Sequence, residues 1–226
     1  EVRFGTNTEL ARPLSKINYD NVVKQLLAAG FTTANPDGLN ILRIQNNRAV
    51  GSREGELRIA NIRAEIVGLD LIQEYCRTNN LQKLLDMPST VSASADKIKF
   101  TQKKPPLVGG KHAGKPLLPV EFPEFNFRVS YQEEHDFTPR SEVAKQLLAQ
   151  WTDAKKVFRY INRVRFAHPT LPVFADISIV KSSPKIGSTA KKGKRIPVPH
   201  YTVQEANVFG NPEDYEIELE VDNQRV

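Results

Sequence analysis

Sulfur-containing residues and long apolar runs are scarce in this sequence. Its 226 residues include one cysteine, one methionine and one tryptophan. Because the single thiol, Cys76, cannot close an internal disulfide, we expect a reducing compartment, the cytosol or the nucleus. No apolar run approaches the roughly 20 residues that a membrane-spanning helix needs. We therefore expect neither a disulfide-rich secreted domain nor a membrane protein.

Two common kinds of sequence motif are also missing. There is no G-x-x-x-x-G-K-[ST] phosphate loop and no Rossmann glycine pattern. The four histidines are scattered, and none has a partner at a metal-ligand spacing: they are His112, His135, His168 and His200. We therefore expect neither a P-loop nucleotide site nor a zinc site.

One segment close to the C-terminal end carries the strongest pattern. Residues 215–221 alternate apolar side chains with Glu216, Glu218 and Glu220. In a β-strand this alternation puts three carboxylates on one face and an apolar set on the other. The apolar face requires a core, and the carboxylates require water or a cation. A barrel wall with an acidic lumen meets both demands, and carboxylate oxygens at this spacing suit Mg²⁺ or Mn²⁺.

Three further segments alternate in the same way. Their polar faces hold Glu1 and Arg3 at the start of the chain, Arg159, Arg163 and Arg165 with Ile161 in phase, and Asp176 with Ser178. For any one strand, the alternative is a half-exposed antiparallel sheet whose polar face meets water. An acidic strand and a basic strand in one sheet would instead bind a metal and a polyphosphate side by side, since arginines fork onto phosphate oxygens.

Positive charge is concentrated in one short tract. The net charge is +6 and the pI is about 9.4. The tract lies between segments rich in serine and proline, and its basic residues are Lys191, Lys192, Lys194 and Arg195. It is predicted to be an exposed loop, which either is only a solvated connection or contacts nucleic-acid phosphates.

The order of apolar patterns predicts a mainly β (α+β) fold. Helices are expected from a cap at Asn18 or Asp20 to Gly30, over 69–85, and from Pro139 to Trp151. Strands are expected at 39–45, 57–66, 97–103, 125–133, 156–166, 173–180 and 215–221. Many strands with few short helices favour a β-barrel with helices packed outside. We expect one domain over residues 1–226, excised from a longer protein.

These motifs, taken in order, resemble the triphosphate tunnel metalloenzyme family. The similarity is greatest to the metal-dependent RNA 5′-triphosphatase domains of large-DNA-virus mRNA capping enzymes. The family's first strand has the form Glu-x-Glu-x-Arg/Lys-Phe, which residues 1–4 match without the first glutamate. Its later motifs are matched by the basic segments 127–130 and 159–166, by Asp-x-Ser-x-Val-Lys-Ser-Ser at 176–183, and by the glutamate strand 215–220. Phe174 and Ile161 depart from the family pattern, at positions where arginine and lysine are common.

The resemblance implies a fold, an activity and a set of roles. The fold would be an eight-stranded antiparallel barrel that forms a tunnel. The activity would be removal of the γ-phosphate of nascent mRNA, with hydrolysis of nucleoside triphosphates as a side reaction. Mg²⁺ or Mn²⁺ would be held by Glu1, Glu218 and Glu220. Glu216 or Glu218 would orient the attacking water. The triphosphate would be bound by Arg3, Arg128, Arg159, Arg163, Arg165 and Lys181, with Asp176 positioning one of these cations. Arg163 would also offset charge that develops during the reaction.

The resemblance also implies partners and a location. A guanylyltransferase domain, in the same or a partner chain, would cap the product. The protein would act in the cytoplasm or nucleus of the host cell, or be packaged in a virion, without a membrane partner. Two other functions stay open. One is a related tunnel enzyme that hydrolyses tripolyphosphate or thiamine triphosphate, and the other is a non-catalytic RNA-binding β-barrel, which would need exposed aromatic residues for stacking.

Overall fold

The computed structural model describes residues 1–5, 13–49, 57–59, 62–87, 97–109, 114–187 and 196–226. These residues form the strands β1 (Val2–Phe4), β2 (Leu39–Ala49), β3 (Leu57–Ile59), β4 (Ile62–Val67), β5 (Ile98–Lys104), β6 (Val120–Phe122), β7 (Phe127–Val129), β8 (Glu133–Phe137), β9 (Lys156–Ala167), β10 (Val173–Ser182), β11 (Lys185–Ile186), β12 (Ile196–Pro197) and β13 (Glu213–Val221). They also form the helices α1 (Lys16–Ala28), α2 (Leu69–Thr78), α3 (Leu81–Leu85) and α4 (Glu142–Ala149).

Capping side chains set where the helices begin. Ser15 caps α1 in a reciprocal capping box with Asn18, so this helix begins earlier than a cap at Asn18 or Asp20 would allow. The helix predicted over 69–85 is two helices, because Asn79 adopts a left-handed conformation (φ 50°) and Asn80 caps α3. Ser141 caps α4. None of the helices in the described ranges is both long and apolar enough to cross a bilayer.

One large antiparallel sheet contains most of the strands. Its order is β6-β7-β1-β13-β10-β9-β2-β4-β5-β8, with β3 paired to β2. The strands predicted at 57–66 and 125–133 are each replaced by two elements, β3 with β4 and β7 with β8. The strands β11 and β12 pair with each other in a separate ribbon. The prediction of a mainly β fold with a few helices is confirmed.

The sheet is not closed into an eight-stranded barrel. Among the described residues, no backbone pairing joins β8 to β6 or β7. The edge of β7 that would complete a barrel is already occupied by β6, and its other edge pairs with β1. The sheet nevertheless curls. Only residues 130–132 connect β7 to β8, a span of at most roughly 14 Å, and Lys103 on β5 lies 3.5 Å from Glu1, which precedes β1.

The outer face of the curled sheet is covered by helices. Ile217 and Leu219 on β13 pack with α1, which contributes Val22, Val23 and Leu26. A larger core lies where α2, α3 and α4 cover β2, β4, β5 and β9, and its residues include Leu42, Ile66, Phe100, Leu147, Trp151 and Phe158. Since apolar side chains occupy the outer face, the alternate residues of each strand point to the inner face.

Candidate functional site

A cavity of about 1680 Å³ occupies the inside of the curled sheet. Side chains from nine strands of that sheet reach it, from β1, β2, β4, β5, β7, β8, β9, β10 and β13. Its lining includes nine arginine and lysine residues: Arg3, Arg43, Arg63, Lys99, Lys103, Arg128, Arg159, Arg163 and Arg165. Six glutamates also line it: Glu1, Glu65, Glu133, Glu134, Glu218 and Glu220. The cavity is therefore lined by charges of both signs, with positive charge in excess.

The acidic row predicted on β13 is present and faces inward. Glu216 and Glu218 are buried and Glu220 is half-buried, while Ile217 between them packs on the outer side. Continuing the antiparallel register of β1 and β13 by one residue sets Glu1 opposite Glu220. The structure thus brings the four predicted acidic residues to two neighbouring strands.

Arginines from β1 and β9 contact the carboxylates of β13 directly. Arg3 and Arg159 each form an ion pair with Glu216, from β1 and β9 respectively. Glu218 Oε2 accepts from Arg163 Nη2 at 2.8 Å, and Glu218 Oε1 lies 3.5 Å from Arg3 Nε. The side chains predicted to bind phosphate are therefore partners of those predicted to bind metal or water.

A fully buried aspartate organises the two central arginines. Asp176 on β10 is 0% exposed, and its Oδ2 accepts from Arg163 Nη1 at 2.9 Å and from Arg165 Nη2 at 2.6 Å. Arg165 Nε donates to Asp176 Oδ1 at 2.6 Å, and its Nη2 reaches Glu220 at 3.0 Å. The guanidinium of Arg165 also lies 4.7 Å from the centre of the Phe174 ring. Asp176 thus orients cations, as predicted.

The electrostatics differ between the carboxylates of β13. Burial by itself raises the pKa of Glu218, but the charges of Arg163 and Arg3 outweigh burial and hold this pKa below its usual value. For Glu220, burial and the neighbouring Asp176 raise the pKa, and Arg165 only partly opposes them. The negative charge of Glu220 is therefore less well balanced by neighbouring cations than that of Glu218.

Arg163 has its pKa raised. Burial alone would lower it, but the carboxylates of Asp176 and Glu218 more than compensate. Arg163 also donates from Nε to Ser178 Oγ at 3.2 Å. Hydrogen-bond acceptors on two strands, β10 and β13, thus stabilise the charged form of Arg163.

The wall formed by the charged inner faces of β2 and β4 was missed by the sequence analysis. Glu65 is 3% exposed, and its Oε1 lies 2.7 Å from Arg43 Nε and 2.5 Å from Arg63 Nε. Arg43 Nε is not oriented to donate to this oxygen, and this buried donor has no hydrogen-bond partner among the described residues. Burial, with a contribution from Arg63, lowers the pKa of Arg43 to about 10 despite the charge of Glu65.

A signal for this wall was present in the sequence. Arg43 stands between buried Leu42 and Ile44, and Glu65 stands between buried Ala64 and Ile66. A charged residue between two outward apolar residues of a strand has to point to the opposite face. The alternation that predicted the inward face of β13 could therefore also have predicted that Arg43 and Glu65 point inward.

The remaining basic residues that were predicted to bind phosphate or RNA do not all lie in the cavity. Arg128 on β7 lines the cavity, and its buried Nε has no hydrogen-bond partner among the described residues. Lys181 lies on the opposite phase of β10 from Asp176, where its Nζ donates to the carbonyl of Phe209 at 3.0 Å. Lys181 is thus not brought together with the other predicted phosphate ligands. The basic tract 191–195 lies outside the described residues.

An apolar row crosses the inner face of the sheet. Val67, Ile41, Ile161 and Val180 are paired in register across β4, β2, β9 and β10, and they pack together. A charged side chain at position 161 would face these buried aliphatic residues, so isoleucine fits this position better. The row separates Arg159 from Arg163 on β9.

The donors present fit a divalent cation in chemical type. Glu1, Glu218 and Glu220 supply carboxylate oxygens from adjacent strands, which is the ligand type of Mg²⁺ and Mn²⁺. Among the described residues, no three histidine, cysteine or acidic side chains are gathered closely enough to hold a metal. The reason is visible in the contacts, because each of these carboxylates is turned toward a lysine or an arginine.

The chain was compared with known proteins at three levels. No family model, curated protein or solved structure matches it. A functional assignment therefore has to rest on the residues and geometry of the cavity itself.

Proposed function

We propose that this protein is a metal-dependent polynucleotide 5′-triphosphatase that removes the γ-phosphate of nascent RNA. The observation that supports this proposal best is the pairing of an acidic strand, β13, with the arginines of β1 and β9 inside one cavity. Hydrolysis of a phosphoric anhydride needs cations to bind the phosphates and carboxylates to hold a metal and a water. Arginines of both strands and the carboxylates of Glu1, Glu218 and Glu220 line the same cavity, while Glu216 lies behind this lining in contact with Arg3 and Arg159.

The arginines would bind and orient the polyphosphate. Arg163 and Arg165 are held in place by the buried Asp176, so their guanidinium groups are positioned before a substrate arrives. Arg3, Arg128 and Arg159 line the same cavity from neighbouring strands. Planar guanidinium groups can each engage two phosphate oxygens and stabilise charge that develops on them.

The carboxylates would supply the hydrolytic half of the site. Glu1, Glu218 and Glu220 are the residues that would hold Mg²⁺ or Mn²⁺, which when bound neutralises charge on the phosphates. Glu216 or Glu218 would accept a hydrogen bond from the attacking water and so orient it. The proposal extends to a guanylyltransferase partner, in the same or a partner chain, and to a host-cell or virion location.

The decisive experiment is a measurement of γ-phosphate release from triphosphate-ended RNA. It is run with Mg²⁺, with Mn²⁺ and with EDTA, and ATP and inorganic tripolyphosphate are compared as substrates. The proposal expects metal-dependent release from RNA and a diphosphate-ended product. Release from tripolyphosphate but not from RNA would favour the related polyphosphatase activity. Binding of RNA without any release would favour a non-catalytic RNA-binding protein.

A matched pair of variants links the activity to this cavity. Glu218→Gln removes a carboxylate inside the cavity, whereas Glu74→Gln removes one from the exposed pair with Arg77 on α2. We expect release to be lost in the first variant and retained in the second. Full activity in Glu218→Gln would contradict the proposed site.

A further inference from the structure

The carboxylates proposed to hold a metal or to orient a water are paired with arginine or lysine side chains when no ligand is bound. Glu216 is paired with Arg3 and Arg159, Glu218 with Arg163, and Glu220 with Arg165. Glu1 is paired with Lys103 on β5 at 3.5 Å. Every carboxylate proposed to hold a metal thus already has a protein cation as its partner.

We propose that this cavity binds a divalent cation and a polyphosphate only as a pair, by exchanging the partners of its own ion pairs. The arginines would pass from carboxylates to phosphate oxygens, and the freed carboxylates would take the cation. The species recognised is then the chelate of the cation with the polyphosphate. This inference rests on the proposed function, since it concerns the same cavity.

The physical reason is the burial of the paired groups. A cation that bound Glu218 alone would displace Arg163, whose side chain is 14% exposed and would keep only Asp176 as a charged partner. A polyphosphate that took Arg163 alone would leave the buried Glu218 with only Arg3, whose Nε lies 3.5 Å from Glu218 Oε1. Stranding one member of a buried ion pair is strongly unfavourable. When both ligands arrive together, no buried charge is left without a partner.

This exchange makes each ligand increase the affinity for the other. Coupling between two ligands is reciprocal, and it typically changes affinity by about 5- to 150-fold. The cavity would therefore show weak affinity for free Mn²⁺ and for metal-free tripolyphosphate, and high affinity for the two together. Independent metal and phosphate sites would show no such dependence.

The first test measures Mn²⁺ binding to the phosphate-free protein by electron paramagnetic resonance. Arg163→Gln removes one of the two arginine partners of both Glu218 and Asp176, so we expect it to bind Mn²⁺ roughly tenfold more tightly than the wild type. Arg128→Gln is the matched control, because it removes the same charge from the cavity and Arg128 forms no ion pair in the described part of the chain. It should change the affinity much less.

A second variant provides the same test in case Arg163→Gln does not fold. Arg165 is 47% exposed and pairs with Asp176 and Glu220, so Arg165→Gln removes a less buried partner. It too should tighten Mn²⁺ binding more than Arg128→Gln does. Equal effects of all three substitutions would show a general charge effect and would overturn the exchange, as would no tightening in a variant whose thermal unfolding shows that it is folded.

The reciprocal test measures tripolyphosphate binding in EDTA by calorimetry. Glu218→Gln should bind tripolyphosphate more tightly than the wild type, because Arg163 is released from its partner. Glu133→Gln is the control, since Glu133 lines the cavity but is half exposed, and among the described residues its carboxylate lies within ion-pair distance of His135 alone. If both variants gain equally, the exchange is wrong.

The outcome separates this inference from the proposed function. An enzyme that hydrolyses triphosphate-ended RNA while binding Mn²⁺ and an imido analogue of ATP independently would retain its function and lose the exchange mechanism. A protein that shows coupled binding but releases no phosphate would retain the exchange mechanism and lose the proposed function.

Discussion

Arg163 Nη2 and Glu218 Oε2 lie 2.8 Å apart although a whole strand, β10, separates β9 from β13. Next-neighbour strands in a sheet are roughly 10 Å apart, so the contact exists because the arginine side chain extends across Asp176 and Ser178. Both of these residues accept from the same guanidinium. Arg163 therefore joins three strands through three separate donors.

Arg163→Lys should reduce hydrolysis and stability together. A lysine keeps the charge but cannot engage Asp176, Ser178 and Glu218 with one planar group. Hydrogen bonds to charged groups are each worth roughly 1.5–3 kcal/mol, so we expect a loss of about one to two decades in rate. Phosphate release and thermal unfolding measure the two effects. Arg77→Lys, in the exposed pair with Glu74, serves as the control and should change neither.

Glu218→Gln and Glu220→Gln should move the melting temperature in opposite directions. The folded pKa of Glu218 is lowered, so its contribution to stability is present above its unfolded pKa and is lost as pH falls through the folded value. The folded pKa of Glu220 is raised, so its contribution is present only below the unfolded pKa and is lost as pH rises through the folded value. At neutral pH, removing the charge of Glu218 therefore destabilises the protein, and removing that of Glu220 stabilises it.

The partners of the two carboxylates decide the sign of each shift. Repulsion among the glutamates of β13 would by itself make removal of either Glu218 or Glu220 raise the metal-free melting temperature. The arginine partners restrict that expectation to Glu220, because Glu218 is well compensated. Calorimetric unfolding at neutral pH without metal measures both variants, and shifts of the same sign would contradict the electrostatic assignment.

Lys156 should make the stability of the outer core depend on alkaline pH. It is 1% exposed, its Nζ donates to the carbonyl of Ala154 at 2.7 Å, and burial lowers its pKa to about 8. Between that value and the usual 10.5 the unfolded chain binds the proton more, so stability rises with pH. The rise is on the order of 3 kcal/mol for the full shift. Lys156→Met should abolish it, and Lys145→Met, on the exposed side of α4, should not.

Neutralising the basic tract should separate RNA binding from chemistry. Changing Lys191, Lys192, Lys194 and Arg195 to glutamine removes four positive charges from a tract predicted to contact RNA phosphates. We expect weaker RNA binding with a shallower salt dependence, and unchanged hydrolysis of ATP. Binding titrations at several salt concentrations measure the first effect. If ATP hydrolysis also falls, the tract belongs to the catalytic site, and if neither changes, it is a solvated connection.

Alternation along single strands predicted the faces of this sheet well. The inward side of Arg159, Arg163 and Glu218 and the outward side of Ile217 followed from a period of two, which is a local property of the backbone. The same rule puts Lys181 on the outer face, opposite to Asp176. Its assignment to the triphosphate came from the family resemblance and not from this rule.

Pairing between distant strands could not be predicted in the same way. The contact between Glu1 and Lys103 and the ion pair of Arg159 with Glu216 depend on strand order and curl. The open edge depends on β6, a three-residue strand that lies among Pro116, Pro119 and Pro123 and has no strand pattern of its own. Such contacts arise from tertiary packing, for which the local pattern carries no signal.

The pairing of β1 with β13 has a consequence for how the protein is made. Arg3 and Glu218 are partners in register, so the first strand finds one of its two neighbours only after almost the whole sheet sequence exists. Contacts this distant in sequence close slowly, since the chain between them has to lose its freedom first. The pairing of β1 therefore cannot be completed, and the contacts of Arg3 with Glu216 and Glu218 cannot form, before residue 218 has been synthesised.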